Sequence, residues 1–242
     1  MAVAASRSRG LQRMLGAAVL GGAVLAIASP AGAQDISAAD VQVNLDNVFV
    51  LLAAVLVIFM QAGFALVEAG LTQAKNVANI MMKNMMDFCA GALAFFVVGY
   101  AFAFGPGNAF IGHTGFFLGD GAPAIGNLTL PVSFIFQVAF AATAATIVSG
   151  AMAERTKFKS YFIYSIVISA FIYPVVVHWL WGGGWLSKLS TPYHDFAGSS
   201  IVHMTGGVAA LMGAMALGPR IGRYGPDGRP RLLPPHSIPF AV

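Results

Sequence analysis

Three tryptophans and three consecutive glycines fall together in the segment from His178 to Trp185. An indole face attracts a small cation through its ring quadrupole, by about 2 kcal/mol when the cation is desolvated. Adjacent glycines allow a ligand or another stretch of backbone to approach closely. The segment therefore indicates a cation site, and an aromatic belt at a membrane interface is the alternative interpretation.

Two polar residues follow this segment at the start of an apolar run. Asp195 directly precedes the run, so its carboxylate is predicted to cap a helix there and to stabilise the positive helix end. An acid at this position would also favour cations at an entrance. His203 lies about one helical turn inside the run, among small residues that permit close helix packing. A packed, hydrogen-bonded histidine and a proton-passing histidine in a pore both stay open.

Phe136 and Phe140 are four residues apart and therefore share one face of a helix. Core packing is the ordinary explanation for such a pair. If the same face lines a pore, the two rings instead form a hydrophobic constriction that resists hydrated ions.

Other polar residues inside apolar runs indicate structure rather than catalysis. Glu68, Lys83, Asn84 and Asp87 lie near the ends of two runs, where mutual pairing would lower the cost of burial. The histidines lack metal-ligand spacing, and neither a nucleophile elbow nor a phosphate-binding glycine loop is found in the sequence. Cys89, the single cysteine, can form no internal disulfide. We therefore predict no enzyme, no metal and no cofactor.

The elements that must position these residues are predicted to be membrane-spanning helices. Of the 242 residues 58% are hydrophobic and 9% charged, against roughly 25% charged in a soluble domain, so the lipid bilayer is the expected solvent. The formal charge of +4 comes from residues between apolar runs, which indicates membrane orientation rather than nucleic-acid binding. The fold class is therefore all-α. Five runs approach or exceed the roughly 20 residues that span a bilayer, at about 47–70, 79–104, 131–153, 160–181 and 199–218.

The chain ends and the loop charges predict the topology. Residues 1–33 have the order of a secretory signal peptide, with arginines, an apolar run and then Ala31-Gly32-Ala33; an uncleaved anchor helix is the alternative. With the new terminus outside, the three cytoplasmic connections hold two, three and four basic residues, against one in the external loops. The prediction is a multi-pass protein of the cell inner (plasma) membrane, with a transmembrane domain over 34–218 and a cytoplasmic Pro/Arg-rich linker over 219–242.

A series of ordered motifs resembles the ammonium transporter family of the Amt, Mep and Rh type. The resemblance runs through essentially all of the chain after the signal peptide. Its specific parts are Phe64 to Gly70, Ala74 to Asn76, Met82 to Asn84, Phe136 to Phe140, Gly150 to Arg155, Trp181 to Gly184, Asp195 to Gly198, and Val202-His203.

The resemblance implies a fold and roles for five residues. Complete members have eleven helices, with two inverted five-helix repeats around a pore in each subunit of a homotrimer. Trp181 and Phe136 would belong to the external recruitment site for ammonium, and Phe140 would be an outer gate. Asp195 would support the recruitment region, and His203 would be the first of two pore histidines. A PII signal protein would dock on the cytoplasmic face.

The function predicted from this resemblance is ammonium transport, with ammonium recruited outside and ammonia crossing a hydrophobic pore. The chain ends about where the second repeat would start. We therefore expect a truncated copy or an incomplete gene model that is inactive as an isolated half. The alternatives are an ammonium sensor, a channel for another small neutral solute, and a non-transporting fragment.

Overall fold

The computed structural model describes residues 37–242, so the predicted signal peptide over 1–33 lies outside the described residues. The chain divides into two units, Met1–Asn44 and Leu45–Val242. The described part of the first unit consists of the opening turns of a long helix. Within the described residues the structure contains helices, turns and two isolated β-bridges, and no strand.

Five helices of the described chain are long and apolar enough to cross a membrane. This confirms the prediction of an all-helical, polytopic membrane fold. We number them in chain order as α1 (Ala38–Leu71), α2 (Ala74–Phe104), α3 (Leu130–Met152), α4 (Phe158–Lys188) and α5 (Ser199–Leu217). A short sixth helix, α6, covers Ile238–Ala241 near the chain end.

Helix α1 begins at Ala38, ahead of the predicted start at 47. Ser37 and Asp40 explain the earlier start, because the Ser37 hydroxyl accepts a hydrogen bond from the Asp40 amide at 3.2 Å while the Asp40 carboxylate accepts one from the Ser37 amide at 3.0 Å. This reciprocal pair is a capping box. The first turns that it caps are polar, so a search for apolar runs misses them.

Three segments have π-helical hydrogen bonding, at Phe95–Gly99 in α2, Ile168–Ile172 in α4 and Ser199–Met204 in α5. The first two segments cross each other. A Cβ atom at Gly99 would lie 2.6 Å from the carbonyl oxygen of Ser169, so the crossing requires glycine. Such π-segments are common at functional sites, and no hydrophobic pattern predicts them.

Helix α3 lies at the centre of the core and is packed through small residues. Its buried face includes Ala141, Ala144 and Ala145, each fully shielded from solvent. Helix α5 approaches this face closely, since a Cβ atom at Gly206 would lie 2.8 Å from the carbonyl oxygen of Ala144. The predicted role of small residues in close helix packing is therefore confirmed at Gly206.

A buried ion pair joins α1 to α2. Lys83 Nζ lies 3.2 Å from Glu68 Oε2, and both side chains are about 95% buried. Lys83 also donates to the Ser149 carbonyl at 3.1 Å, while the Ser149 hydroxyl donates to Glu68 Oε2 at 2.7 Å. The Lys83 ammonium lies 5.0 Å from the centre of the Tyr161 ring. The predicted pairing of these charges is therefore confirmed, and it links four helices.

Asp87, one helical turn beyond Lys83, is fully buried. Its two carboxylate oxygens accept hydrogen bonds from the hydroxyls of Thr146 on α3 and Ser165 on α4. Asn84 takes no part in this pairing, because its side-chain amide donates to the Ile80 carbonyl of its own helix at 3.1 Å. Pairing was therefore wrongly predicted for Asn84, and Asp87 binds two hydroxyl groups rather than another member of the predicted set.

Candidate functional site

An aromatic cavity of about 410 Å³ contains three of the five predicted site residues, Phe136, Phe140 and Trp181. The Phe136 and Phe140 ring centres are 4.9 Å apart, and those of Phe140 and Trp181 are 6.0 Å apart, both in edge-to-face geometry. The spacing of four residues on α3 thus places both phenyl rings on the cavity side. The rest of the lining is Phe104, Ile125, Gln137, Phe196 and Ala197.

Trp181 is held in place by a hydrogen bond from its indole. Its Nε1 donates to the backbone carbonyl of Asp195 at 2.8 Å. With the N–H engaged, the ring is fixed and half-buried at the cavity wall. An indole face fixed in this way, beside two phenyl rings, provides a surface that attracts a small cation.

The Asp195 carboxylate caps α5, as the sequence predicted. Its Oδ1 accepts from the amides of Gly198 and Ser199 at 2.8 and 3.0 Å. Its Oδ2 accepts from the amides of Ser200 and Ile201 at 2.9 and 2.8 Å, and from the Ser200 hydroxyl at 2.8 Å. Burial raises the pKa of the Asp195 carboxyl, but these hydrogen bonds outweigh burial and lower the pKa to about 2.

The three glycines after Trp181 serve backbone packing. A Cβ atom at Gly182 would lie 2.0 Å from the Ala103 carbonyl oxygen, and one at Gly184 would lie 2.5 Å from the His178 carbonyl oxygen. Gly183 has a φ of +79°, a backbone conformation that residues other than glycine rarely adopt. The glycines therefore allow close approach of backbone, one of the two roles predicted for them.

The His178 side chain lies beside the same turn. Its ring is buried, with Nδ1 at 3.0 Å from the Ala103 carbonyl oxygen and Nε2 at 2.9 Å from the Asn108 carbonyl oxygen. The ring nitrogen that carries the proton donates to one of these two carbonyls, so the imidazole joins α4 to the end of α2 or to the loop that follows it. Sequence reasoning included His178 in the tryptophan segment but missed this anchoring role.

His203 lies in the π-helical start of α5 and is not among the residues that line the aromatic cavity. Its backbone amide donates to the Gly198 carbonyl at 3.0 Å, and its side chain is exposed. The His203 side chain is therefore not a packed residue of the core that the structure describes. The neighbouring Ile201 and Val202 are the residues of this turn that are buried in the core.

Residues 48–242 match the model of the Ammonium Transporter Family. The chain belongs to the ammonium transporter family. The family prediction made from the motifs is therefore confirmed. Among named relatives, the chain is 50% identical over 232 residues to ammonium transporter Amt2 of Archaeoglobus fulgidus and 42% identical over 212 residues to ammonium transporter 1 member 3 of Solanum lycopersicum. These alignments cover 90% and 84% of this chain, and 49% and 45% of those proteins.

Solved structures of the family agree with the fold. A protein described as a sensor Amt protein superposes with a TM-score of 0.78 at 40% identity, covering 84% of this chain and 51% of its own. Mep2 of Candida albicans superposes with a TM-score of 0.70 at 32% identity, covering 81% of this chain and 44% of its own. The chain thus spans about half the length of the relatives that it matches.

Sequence reasoning missed several residues of the aromatic cavity. Phe104 ends α2 and Ile125 lies in a loop, so both reach the cavity through tertiary packing that no local pattern reveals. Gln137 and Phe196 did carry a signal, because each directly follows a predicted site residue in the chain. Gln137 is the more informative of the two, since its buried amide oxygen has no hydrogen-bond partner within the described residues.

Proposed function

We propose that this chain provides one half of an ammonium-transporting pore and that the aromatic cavity is its recruitment site. Ammonium binds against the Trp181 indole beside Phe136, sheds its water and releases a proton to the external solution before Phe140, and passes as ammonia toward His203. The observation that carries this proposal is the fixed Trp181 ring in a cavity with two phenyl rings. Membership in the ammonium transporter family supplies the substrate.

The electrostatics of the cavity support binding of a cation that can lose its proton. Both Asp195 carboxylate oxygens are occupied by hydrogen bonds to the start of α5, so Asp195 supports the site structurally and leaves the cavity walls mostly apolar. Cation–π attraction and the side-chain amide of Gln137, which lines the cavity, remain to hold the cation. Both groups are neutral, so no fixed negative charge in the cavity stabilises ammonium against loss of its proton.

Potassium illustrates the selectivity that such a cavity gives. It has the same charge as ammonium but no proton to lose, so it would have to enter the hydrophobic constriction at Phe140 as an ion. A constriction of this kind penalises ions and admits small neutral molecules. Ammonium chemistry therefore suits the cavity better than transport of an alkali cation.

The proposal includes an assembly and an orientation. Residues 34–218 form the first of two inverted repeats of a homotrimer subunit in the cell inner membrane, with the mature N-terminus outside and residues 219–242 in the cytoplasm. The distribution of basic residues between loops supports this orientation. A PII signal protein is the proposed cytoplasmic partner.

Ammonium sensing is the second candidate function. It is favoured by one observation, the superposition at 40% identity on a protein described as a sensor Amt protein. Transport and sensing use the same recruitment step, so the aromatic cavity serves either. They differ in whether ammonium crosses the membrane, which an uptake assay decides in vesicles that also contain the second repeat.

The binding step is testable with the purified protein and methylammonium, using isothermal titration calorimetry. Loss of a desolvated cation–π contact of about 2 kcal/mol predicts roughly thirtyfold weaker binding to a Trp181→Leu variant. Trp185→Leu is the matched control, because Trp185 belongs to the same segment but does not line the aromatic cavity. Equal affinity of the two variants would show that the aromatic cavity is not the recruitment site.

A further inference from the structure

A second cavity, of about 380 Å³, lies where α3 and α5 end and contains three arginines. We name it the arginine cavity. Its lining consists of Gly150, Ala151, Arg155, Pro219, Arg220, Arg223 and Tyr224. Within the described chain no acidic residue lines it, so three arginines line one small space without an opposite charge in the wall.

Arg155 and Arg220 are fixed by contacts with the surrounding backbone. Arg155 donates from its terminal nitrogens to the carbonyls of Gly218 and Ala151, whereas its buried Nε has no hydrogen-bond partner within the described residues. Arg220 Nε lies 3.3 Å from the Ala153 carbonyl oxygen and 3.3 Å from Glu154 Oε2. Both guanidinium groups are therefore ordered before any ligand binds.

Glu154 neutralises only one of the three arginines. Its other oxygen, Oε1, accepts from the Gln73 amide and from the Asn76 side chain, each at 2.8 Å. Arg223 donates through one terminal nitrogen to the Arg231 carbonyl at 2.8 Å. Among the residues that the structure describes, Arg155 and Arg223 therefore have no carboxylate partner at the cavity.

We propose that the arginine cavity binds a phosphate group. Guanidinium groups present planar pairs of N–H donors that match phosphate oxygens, and several of them can contact one tetrahedral anion. Tyr224 also lines the cavity, and its hydroxyl is an additional type of hydrogen-bond donor there. This inference is independent of ammonium transport, because the arginine and aromatic cavities share no lining residue.

The depth of the arginine cavity favours the phosphate of an anionic phospholipid. Arg155 lies three residues after the end of α3 at Met152, and Arg220 lies three residues after the end of α5 at Leu217. Both therefore lie where membrane-spanning helices leave the hydrocarbon and meet the headgroups. On the side predicted to face the cytoplasm, anionic headgroups attract basic residues. Free inorganic phosphate has the same chemistry and is the competing source.

The test measures binding to the purified protein in neutral detergent, by native mass spectrometry and by the shift in thermal unfolding midpoint. The probes are short-chain phosphatidylglycerol, short-chain phosphatidylcholine and inorganic phosphate. We expect saturable binding of phosphatidylglycerol, and roughly tenfold or greater weakening in an Arg223→Gln variant from loss of charge-assisted hydrogen bonds. Arg223→Lys, which keeps the charge but loses the planar donors, is expected to fall in between.

Arg229→Gln is the matched control, since Arg229 belongs to the same loop, is exposed, and pairs only loosely with Asp227 at 3.9 Å. It removes the same charge and is expected to bind phosphatidylglycerol like the wild type. Competition by inorganic phosphate would support a site for the phosphate group itself, and binding of inorganic phosphate alone would support the site while excluding the lipid as its source. Equal affinity of Arg223→Gln, Arg229→Gln and wild type, or equal weakening of both variants, would overturn the proposal. If Arg223→Gln fails to fold, wild-type affinity in Arg223→Lys would also overturn it.

Discussion

Replacing Lys83 by methionine tests whether the buried ion pair holds α1 against the rest of the bundle. The change removes the 3.2 Å contact with Glu68, the 3.1 Å hydrogen bond to the Ser149 carbonyl, and the cation–π contact with Tyr161 at 5.0 Å. Methionine fills a similar volume, so the packing defect is small. The Glu68 carboxylate is then left buried with the Ser149 hydroxyl as its remaining neutral donor among these groups.

An uncompensated charge of this kind destabilises a protein by about 3 to 5 kcal/mol. For a chain of this length, that corresponds to a thermal unfolding midpoint lower by roughly 6 to 20 °C. The double variant Glu68→Gln/Lys83→Met removes both charges and is expected to recover most of the loss, because a buried pair contributes little beyond a neutral replacement. The assay is thermal unfolding in detergent, followed for all four members of the double-mutant cycle.

The cycle separates two explanations. If the pair matters through charge compensation, the double variant is more stable than Lys83→Met alone. If the double variant loses as much stability as the two single variants together, Glu68 and Lys83 act independently and charge compensation is refuted. Unchanged stability in Lys83→Met would show that the ammonium is not needed in this position.

Three further predictions concern the proposed recruitment region. The pKa of Asp195 is lowered from 3.8 to about 2, so the ionised carboxylate stabilises the folded protein fully above about pH 4 and no longer does so once the pH falls through about 2. The difference in thermal unfolding midpoint between wild type and Asp195→Asn is expected to shrink over this pH range. A difference that stays constant with pH would argue against this role of the carboxylate. Gly182→Ala forces a Cβ to 2.0 Å from the Ala103 carbonyl and lowers the unfolding midpoint, whereas Gly207→Ala meets nothing within 4 Å and does not. Gln137→Leu is expected to weaken methylammonium binding about three- to tenfold in calorimetry. The change is not expected to lower stability, since the buried amide oxygen has no hydrogen-bond partner within the described residues. Unaltered binding would exclude the Gln137 side chain as a ligand.

Local rules anticipated the parts of the fold that depend on one stretch of chain. Apolar length located the spans, and the spacing of Phe136 and Phe140 placed two rings on one face of α3. The cap at Asp195 was predictable because an acid immediately before an apolar run satisfies the amides of that helix. In each case the physical cause acts over a few residues.

Other features depend on which helices contact each other, so patterns within one stretch of sequence could not predict them. The crossing of α2 and α4 at Gly99 requires knowledge of both partners. His178 was recognised within the tryptophan segment, but its two carbonyl partners lie more than 65 residues earlier in the chain. The arginines of the arginine cavity were visible only as loop charges that orient the protein, since Arg155 and Arg220 converge through packing of α3 against α5.

The proposed recruitment region is ordered from two independent directions. The His178 ring lies against the end of α2 and the loop that follows it, and the Asp195 carbonyl holds the Trp181 indole from the loop before α5. The Asp195 carboxylate is in turn fixed by the amides at the start of α5. Trp181 is therefore positioned before a cation arrives, so binding energy is not spent on ordering the ring. It follows that Asp195→Asn should weaken methylammonium binding through displacement of the indole, although the carboxylate itself contacts no cation.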